Sequence, residues 1–136
     1  MTSAEWGAIE HFKSSEFDSP DKPGSGAAMD YDVMRALSAA RARAGIAFNI
    51  NSGFRTPKHN KAVGGKKNSA HLRGFAADID YTRVAKERKL TIPQVRGLIL
   101  EALEYEGFNR FGLYKTFVHV DKDPTLPKNV RWMEGE

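Results

Sequence analysis

The chain of 136 residues contains no cysteine, which excludes disulfide bonds and thiolate metal sites. Any metal ion must therefore be held by histidine, aspartate or glutamate. No apolar run approaches the roughly 20 residues that a membrane span needs, so we expect no membrane association. The first residues lack the basic and apolar regions of a secretory signal, which predicts a protein that is cytoplasmic at synthesis.

The length fits one domain, and a hydrophobic content of 40% with 28% charged residues is ordinary for a globular protein. Turn-forming residues over 19–26 separate a short N-terminal element from the rest. We therefore expect a single domain over residues 1–136, with an N-terminal segment and loop over 1–26 and a core over 27–136. We also expect a monomer.

The net charge of +4 is unevenly distributed along the chain. Residues 1–30 carry a net charge of −4, and the stretch from Arg55 to Arg73 holds six Lys or Arg residues and no acid. Such a block is typical of a solvated loop, or of a surface that meets nucleic acid, an anionic wall polymer or a carboxylate-rich peptide. Aromatic residues between these cations are nearly absent, so we expect no nucleic-acid partner.

Periodicity and capping signals predict an α+β domain, a small antiparallel sheet flanked by helices. Three helices are predicted: from an Asp30 cap to about Ala44, after Thr56, and from a capping box at Thr91 to Gly107. Alternating apolar residues predict strands over 46–51 and 75–81, a hairpin of 108–114 and 117–121, and an edge strand at about 130–132.

Two histidines and a carboxylate lie on short, strand-like segments of the predicted sheet. Alternation places His119 and Asp121 on one strand face and Asp78 and Asp80 on one face of another, and Gly74 lets the chain turn His71 back towards Asp78. Such a set suits a zinc ion with one open position. Histidines that are hydrogen-bonded without a metal, and an aspartate that caps a strand, would give the same pattern. Spacing alone therefore leaves both interpretations open.

A longer series of motifs resembles the M15 zinc D,D- and L,D-peptidases that cut bacterial peptidoglycan, most closely the compact phage-type members. The resemblance covers about residues 11–132. It is carried by His11-Phe12-Lys13, Glu16-Phe17, Ser52-Gly53-Phe54-Arg55-Thr56-Pro57, Asn60, Val63-Gly64-Gly65, Ser69-x-His71-x-x-Gly74-x-Ala76-x-Asp78 and Phe117-Val118-His119-Val120-Asp121.

The resemblance implies a hedgehog/DD-peptidase-like fold with Zn²⁺ held by His71, Asp78 and His119. Arg55 matches the arginine that contacts the carboxylate or carbonyl oxygen of the substrate, a role that suits the guanidinium group. The implied partner is a peptidoglycan stem peptide, cut by a carboxypeptidase or an endopeptidase activity. With no signal peptide, the phage-like resemblance implies a protein that reaches the wall after release or as a virion component.

One position departs from the family pattern. Several branches carry the catalytic Glu or Asp three residues before the last histidine, and here that position is Thr116. Asp121 is the first candidate for the general base and Asp80 the second. Alternatively, Asp121 orients His119.

Ser69 is a candidate for substrate binding or for capping a turn. If no base exists, the domain is a non-catalytic, zinc-containing module that binds the cell wall or serves a structural role.

Overall fold

The computed structural model describes residues 1–134, and the last two residues of the expected 1–136 domain lie outside them. Its helices and small five-stranded sheet confirm the α+β class. The helices are α1 (Ser3–Gly7), α2 (Tyr31–Ala44), α3 (Pro57–Ala62), α4 (Thr82–Arg88) and α5 (Ile92–Tyr105). The strands are β1 (Asn49–Ser52), β2 (Ala76–Asp80), β3 (Arg110–Leu113), β4 (Phe117–Asp121) and β5 (Val130–Met133). None of the described helices is both long and apolar enough to cross a membrane.

The predicted helices begin and end where their capping residues place them. The Asp30 carboxylate accepts a hydrogen bond from the Val33 amide, and α2 ends at Gly45, whose φ is +68°. Thr91 forms the predicted capping box at the start of α5. Helix α4 was not predicted, because its N-cap residue, Tyr81, makes no side-chain cap that a sequence pattern could reveal.

The strands lie in the order β1-β2-β4-β3-β5. The β3–β4 hairpin turns at the predicted residues, and every pair is antiparallel except β3 with β5. That last pair is parallel because residues 122–129 carry the chain back to the start of β3, where the Val130 amide bonds to the Asn109 carbonyl. The expected antiparallel sheet is therefore mixed at this edge.

Strand β1 contains an irregularity. Its register with β2 shifts between Ile50 and Ser52, so Ser52 pairs with Asp78 while the exposed Asn51 is left out of the register. The strand also begins three residues later than predicted, at Asn49, although Ile46 and Phe48 are buried as their alternation requires.

The two faces of the sheet have opposite chemistry. One face packs into a single hydrophobic core with α2 and α5, and its central side chains are apolar: Ala77, Ile79, Val118 and Val120. The N-terminal segment adds Ile9, Phe12 and Phe17 to the same core. The other face carries Asp78, His119 and Asp121.

Candidate metal centre

Three side chains with metal-binding atoms converge on the polar face of the sheet: His71, Asp78 and His119. Asp78 and His119 are direct partners in the β2–β4 register, as the alternation predicts. The Oδ1 atom of Asp78 lies 3.1 Å from Nε2 of His71 and 3.0 Å from Nδ1 of His119. The two histidine nitrogens are 3.2 Å apart.

His71 is placed by a 3₁₀ turn, Ala70–Arg73, that precedes β2. The Ser69 hydroxyl caps this turn by accepting a hydrogen bond from the His71 amide, and Gly74 ends it with a φ of +77°. Nδ1 of His71 lies 2.7 Å from the Gly53 carbonyl oxygen. Because a carbonyl only accepts, Nδ1 must carry the proton, which leaves a lone pair on Nε2 facing the other ligands.

Gly53 can lie against Phe17 because it has no side chain. A Cβ atom at position 53 would come within 2.7 Å of the Phe17 backbone, which forms part of the core. The amide of the next residue, Phe54, bonds to the Phe17 carbonyl. The N-terminal segment thus fixes the carbonyl that orients His71.

His119 is oriented by charged groups on its own hairpin. Its Nε2 donates to Oδ2 of Asp121 at 2.8 Å, and Oδ1 of Asp121 accepts from Nε of Arg110 at 2.8 Å. Arg110 is the direct register partner of Asp121, and both are buried. The carboxylate holds the proton on Nε2, so Nδ1 presents its lone pair to Asp78 and His71.

The donor set fits a zinc ion. Zinc bound by nitrogen and carboxylate oxygen at about 2.0–2.1 Å in tetrahedral geometry has ligand atoms about 3.3 Å apart. The observed separations of 3.0–3.2 Å lie close to that value. With both tautomers fixed by outer partners, three lone pairs face one another, an arrangement that a bound cation satisfies.

The pKa values reflect this clustering. Burial alone would lower the pKa of His119, but hydrogen bonds to Asp121 and Asp78 outweigh it and raise that pKa to about 9. Burial alone would raise the pKa of Asp78, and hydrogen bonds with His119 and His71 instead hold it well below the usual range. The pKa of Asp121 is lowered in the same way, against its burial, by His119. Without a metal ion, His119 is therefore protonated on both ring nitrogens at neutral pH, and its Nδ1 lone pair becomes available to a cation when that proton is released.

Arg55 lies beside the cluster, three residues after the end of β1, and its amide bonds to the His71 carbonyl. Its Nη2 contacts Oδ2 of Asp78 at 3.3 Å, the oxygen that does not face the histidines. Its Nε donates to Ser52 and its Nη1 to Asn60. Three of the five N–H donors of a guanidinium are thus engaged, which leaves two for a ligand.

The remaining predicted residues are placed as follows. Both oxygens of Asp121 are engaged, by His119 and Arg110, which favours the orienting role over that of a free base. Asp80 accepts hydrogen bonds from the Thr82 hydroxyl and the Arg83 amide at the start of α4. The Ser69 hydroxyl is occupied as the cap described above, which favours its capping role.

Thr116 lies exposed in the β3–β4 turn. Within residues 1–134, Asp121 is the only further carboxylate that hydrogen-bonds to any of the three clustered side chains. That carboxylate is already engaged by His119 and Arg110.

Sequence reasoning missed Arg110, although a signal for it was present. A hairpin turning at Lys115 and Thr116 places residue 110 opposite residue 121, and alternation then puts both side chains on the polar face. It also missed the Gly53 carbonyl, for which the sequence contains no comparable signal, because the contact joins two loops 18 residues apart.

Comparison with known proteins identifies the family. No curated protein matches the sequence. The sequence profile of the family described as Peptidase M15 matches residues 10–121, most of the chain. That range contains all three clustered side chains together with Arg55 and Asp121. The chain therefore belongs to the peptidase M15 family, whose members are zinc-dependent peptidases that act on peptidoglycan-type substrates.

Proposed function

We propose that this protein is a zinc-dependent peptidase that hydrolyses peptidoglycan stem peptides. The observation that carries the proposal is the convergence of His71, Asp78 and His119, with both imidazole tautomers set by outer partners. Three protein ligands leave a fourth position open, which distinguishes a catalytic zinc site from a closed structural one.

The proposed ligand atoms are Nε2 of His71, Oδ1 of Asp78 and Nδ1 of His119. Zinc bound there supplies a Lewis acid that activates water and polarises the scissile carbonyl group. The chain's own residues prepare the site: the Gly53 carbonyl and the Asp121 carboxylate hold the imidazole protons on the outer nitrogens. Arg110 holds the Asp121 carboxylate in place.

Arg55 is the proposed substrate-binding residue. It is mostly buried, is steadied by Ser52 and Asn60, and still has two free donors beside Asp78. A guanidinium held in this way can grip a terminal carboxylate, which would make the enzyme a carboxypeptidase. It can equally stabilise negative charge on a carbonyl oxygen during cleavage of an internal bond.

We propose that Asp121 acts by orienting His119 rather than by taking a proton from water. Its three hydrogen bonds, from His119, Arg110 and the Asp123 amide, and its burial, with 1% of its surface exposed, favour that role. A carboxylate that donates electron density through a metal-bound histidine also makes that histidine a stronger ligand. Asp80 caps α4, which argues against its use as the base.

A second candidate function is a non-catalytic, zinc-containing module that binds or organises the cell wall. The observation that favours it is that both oxygens of Asp121, the one further carboxylate hydrogen-bonded to the cluster within the described residues, are engaged. In addition, Thr116 stands at the position where family branches carry an acid. Under this proposal the protein binds wall fragments and zinc without turnover.

We propose that the protein acts on the wall after release from the cell or as part of a phage particle.

A zymogram on purified peptidoglycan tests the enzymatic proposal. Clearing should occur with zinc, disappear with a chelator and return when zinc is restored, while His71→Ala should remain inactive throughout. Zinc-loaded protein that binds peptidoglycan without clearing it would instead support the non-catalytic module.

A further inference from the structure

An aromatic surface lies on the other side of His119 from Arg55. The Trp132 ring on β5 lies 5.4 Å from the His119 ring, measured between centroids. The indole N–H donates to the Tyr114 hydroxyl at 3.1 Å, and Tyr114 stacks on Phe117 with centroids 4.5 Å apart. These three aromatic side chains form what we call the aromatic wall: Tyr114, Phe117 and Trp132.

Gly112 allows the indole to reach His119. Gly112 is the register partner of both His119 and Trp132, so it lies between them in the sheet. A Cβ atom at position 112 would be 2.6–2.7 Å from three adjacent atoms of the indole, Cε2, Nε1 and Cζ2. These distances place residue 112 obliquely beneath the edge of the indole that carries Nε1 and Cζ2, so β3 covers one side of the ring. The other face of the ring is turned away from the sheet.

That outer face is positioned to contact a substrate. Trp132 is only partly buried, and its one polar atom already has a partner. The Arg110 guanidinium, on the same face of β3 as Gly112, lies 5.6 Å from the centroid of the ring. The exposed part of the ring is therefore apolar. The strand order places Arg55 and Asp78 on one side of His119 and Trp132 on the other. A peptide lying across the strands with its scissile bond at the cluster would meet the guanidinium on one side and the indole on the other.

The family match ends at Asp121, before β5 begins. The strand that carries Trp132 therefore lies outside the matched region, whereas Tyr114 and Phe117 lie inside it.

We propose that the outer face of Trp132 forms a substrate subsite that stacks on a CH-bearing group on the side of the scissile bond away from Arg55. This proposal rests on the proposed peptidase function. The shared chemistry is a flat or methyl-rich apolar face, which peptidoglycan offers either as an aliphatic side chain of the stem peptide or as the apolar side of the attached sugar ring.

Steady-state kinetics on the zinc-loaded protein test the subsite. Trp132→Ala should raise KM about three- to tenfold and leave kcat within about twofold, with full zinc content. Trp132→Phe should recover part of that loss, because a smaller ring can still stack. Tyr105→Ala removes an exposed ring on α5, with 69% of its surface exposed, and serves as the matched control that should leave KM unchanged.

Gly112→Ala tests the same surface without removing the indole. The added methyl group would displace the ring from its position over residue 112, so KM should rise as in Trp132→Ala. This variant keeps the proposal falsifiable if loss of the indole prevents β5 from folding. Unchanged KM in both variants, with zinc retained, would overturn the subsite while leaving the peptidase function intact.

Fluorescence provides a readout that does not need turnover. The chain has two tryptophans, so Trp6→Phe leaves Trp132 as the only indole emitter. Titrating this zinc-loaded variant with a stem tripeptide, and separately with the same tripeptide attached to its disaccharide, should change the emission. A response to both ligands identifies the peptide side chain, and a response to the disaccharide form alone identifies the sugar. No response to either would overturn the subsite, whereas a response without hydrolysis would support the subsite and contradict the peptidase function.

Discussion

The two clustered histidines are held in different ways, although each presents one lone pair to the same point. His71 lies on a 3₁₀ turn and is oriented by a neutral backbone carbonyl, that of Gly53. His119 lies on a central strand and is oriented by a buried ion pair of Asp121 and Arg110. The orientation of His71 therefore depends on how two loops pack, and that of His119 on charge.

The difference determines how each histidine can lose the partner that orients it. No side-chain substitution can remove the Gly53 carbonyl, so His71 loses its partner only if the backbone moves. The partner of His119 can be neutralised by one substitution, and doing so leaves Arg110 buried without its counter-charge, which is costly. Substitutions at the two histidines and at their partners can therefore reveal this asymmetry.

Removal of either histidine should have the largest effect on zinc content, and the two variants should lose it equally. We expect His71→Ala and His119→Ala each to abolish stoichiometric zinc, because two remaining ligands do not hold the ion firmly. Elemental analysis of the purified variants measures this. His59→Ala, which removes a histidine of α3 outside the cluster, should keep about one zinc per chain. Full zinc occupancy in His71→Ala would remove the proposed site.

Neutralising Asp121 should show that the two histidines depend on different partners. We expect Asp121→Asn to lower zinc affinity about 10- to 100-fold, the range found when a partner that orients a metal-bound histidine is lost. Competition with a chromophoric chelator measures the affinity. The matched control is Asp80→Asn on the same sheet face, which should leave zinc affinity and turnover unchanged.

The opposite result for Asp121 would be equally informative. Unchanged zinc affinity with turnover reduced about 10²–10⁴-fold would mean that Asp121 is the general base and that the orienting role is wrong. Loss of turnover in Asp80→Asn would assign the base to Asp80.

Arg55 contacts Asp78, which hydrogen-bonds to both histidines, so loss of Arg55 should affect the two histidines alike. We expect Arg55→Ala to reduce kcat/KM about ten- to a hundredfold, since a charge-assisted hydrogen bond contributes roughly 1.5–3 kcal/mol. Peptides with free and amidated C-termini identify the contact. Cleavage that survives amidation excludes the carboxylate clamp, and unchanged kinetics in Arg55→Ala would exclude both proposed roles.

The pH dependence of stability should reveal the charged partner of His119. Its pKa in the folded, metal-free protein is about 9, above the ordinary value of about 6.5, so its favourable contribution is complete below pH 6.5. That contribution is lost as the pH rises through 9. We expect chelator-treated protein to lose stability over this range in denaturant unfolding. The same pH dependence in His119→Gln would contradict the assignment.

Much of the fold could be predicted because local signals specify it. Asp30, Gly45 and Thr91 mark helix ends by hydrogen bonds to neighbouring residues, and alternation in β2 and β4 separates the polar from the apolar face. Helix α4 and the parallel pairing of β5 could not be predicted. The first has no side-chain cap, and the second depends on the path of a loop.

The candidate site was predictable to a similar depth. Alternation on paired strands was enough to bring Asp78 opposite His119, because a strand pattern fixes which side chains share a face. The engaged state of Asp121 was predictable only by combining alternation with the position of the hairpin turn, which together place Arg110 opposite it. The partner of His71 depends on how the N-terminal segment packs against Gly53, and no periodic pattern in the sequence indicates that packing.

The irregularity in β1 makes one residue dispensable to the register of the strand. Asn51 is exposed, so its side chain should be freely replaceable. Ile50 and Ser52 already lie opposite the adjacent residues Ile79 and Asp78, so deleting Asn51 would leave both pairs in place and restore a regular ladder. Deleting Ile50 instead would bring the polar Asn51 opposite Ile79, on the apolar face of the sheet. A scan of single deletions over positions 48–54 should therefore find that loss of Asn51 is tolerated better than loss of Ile50, as measured by zinc retention and turnover.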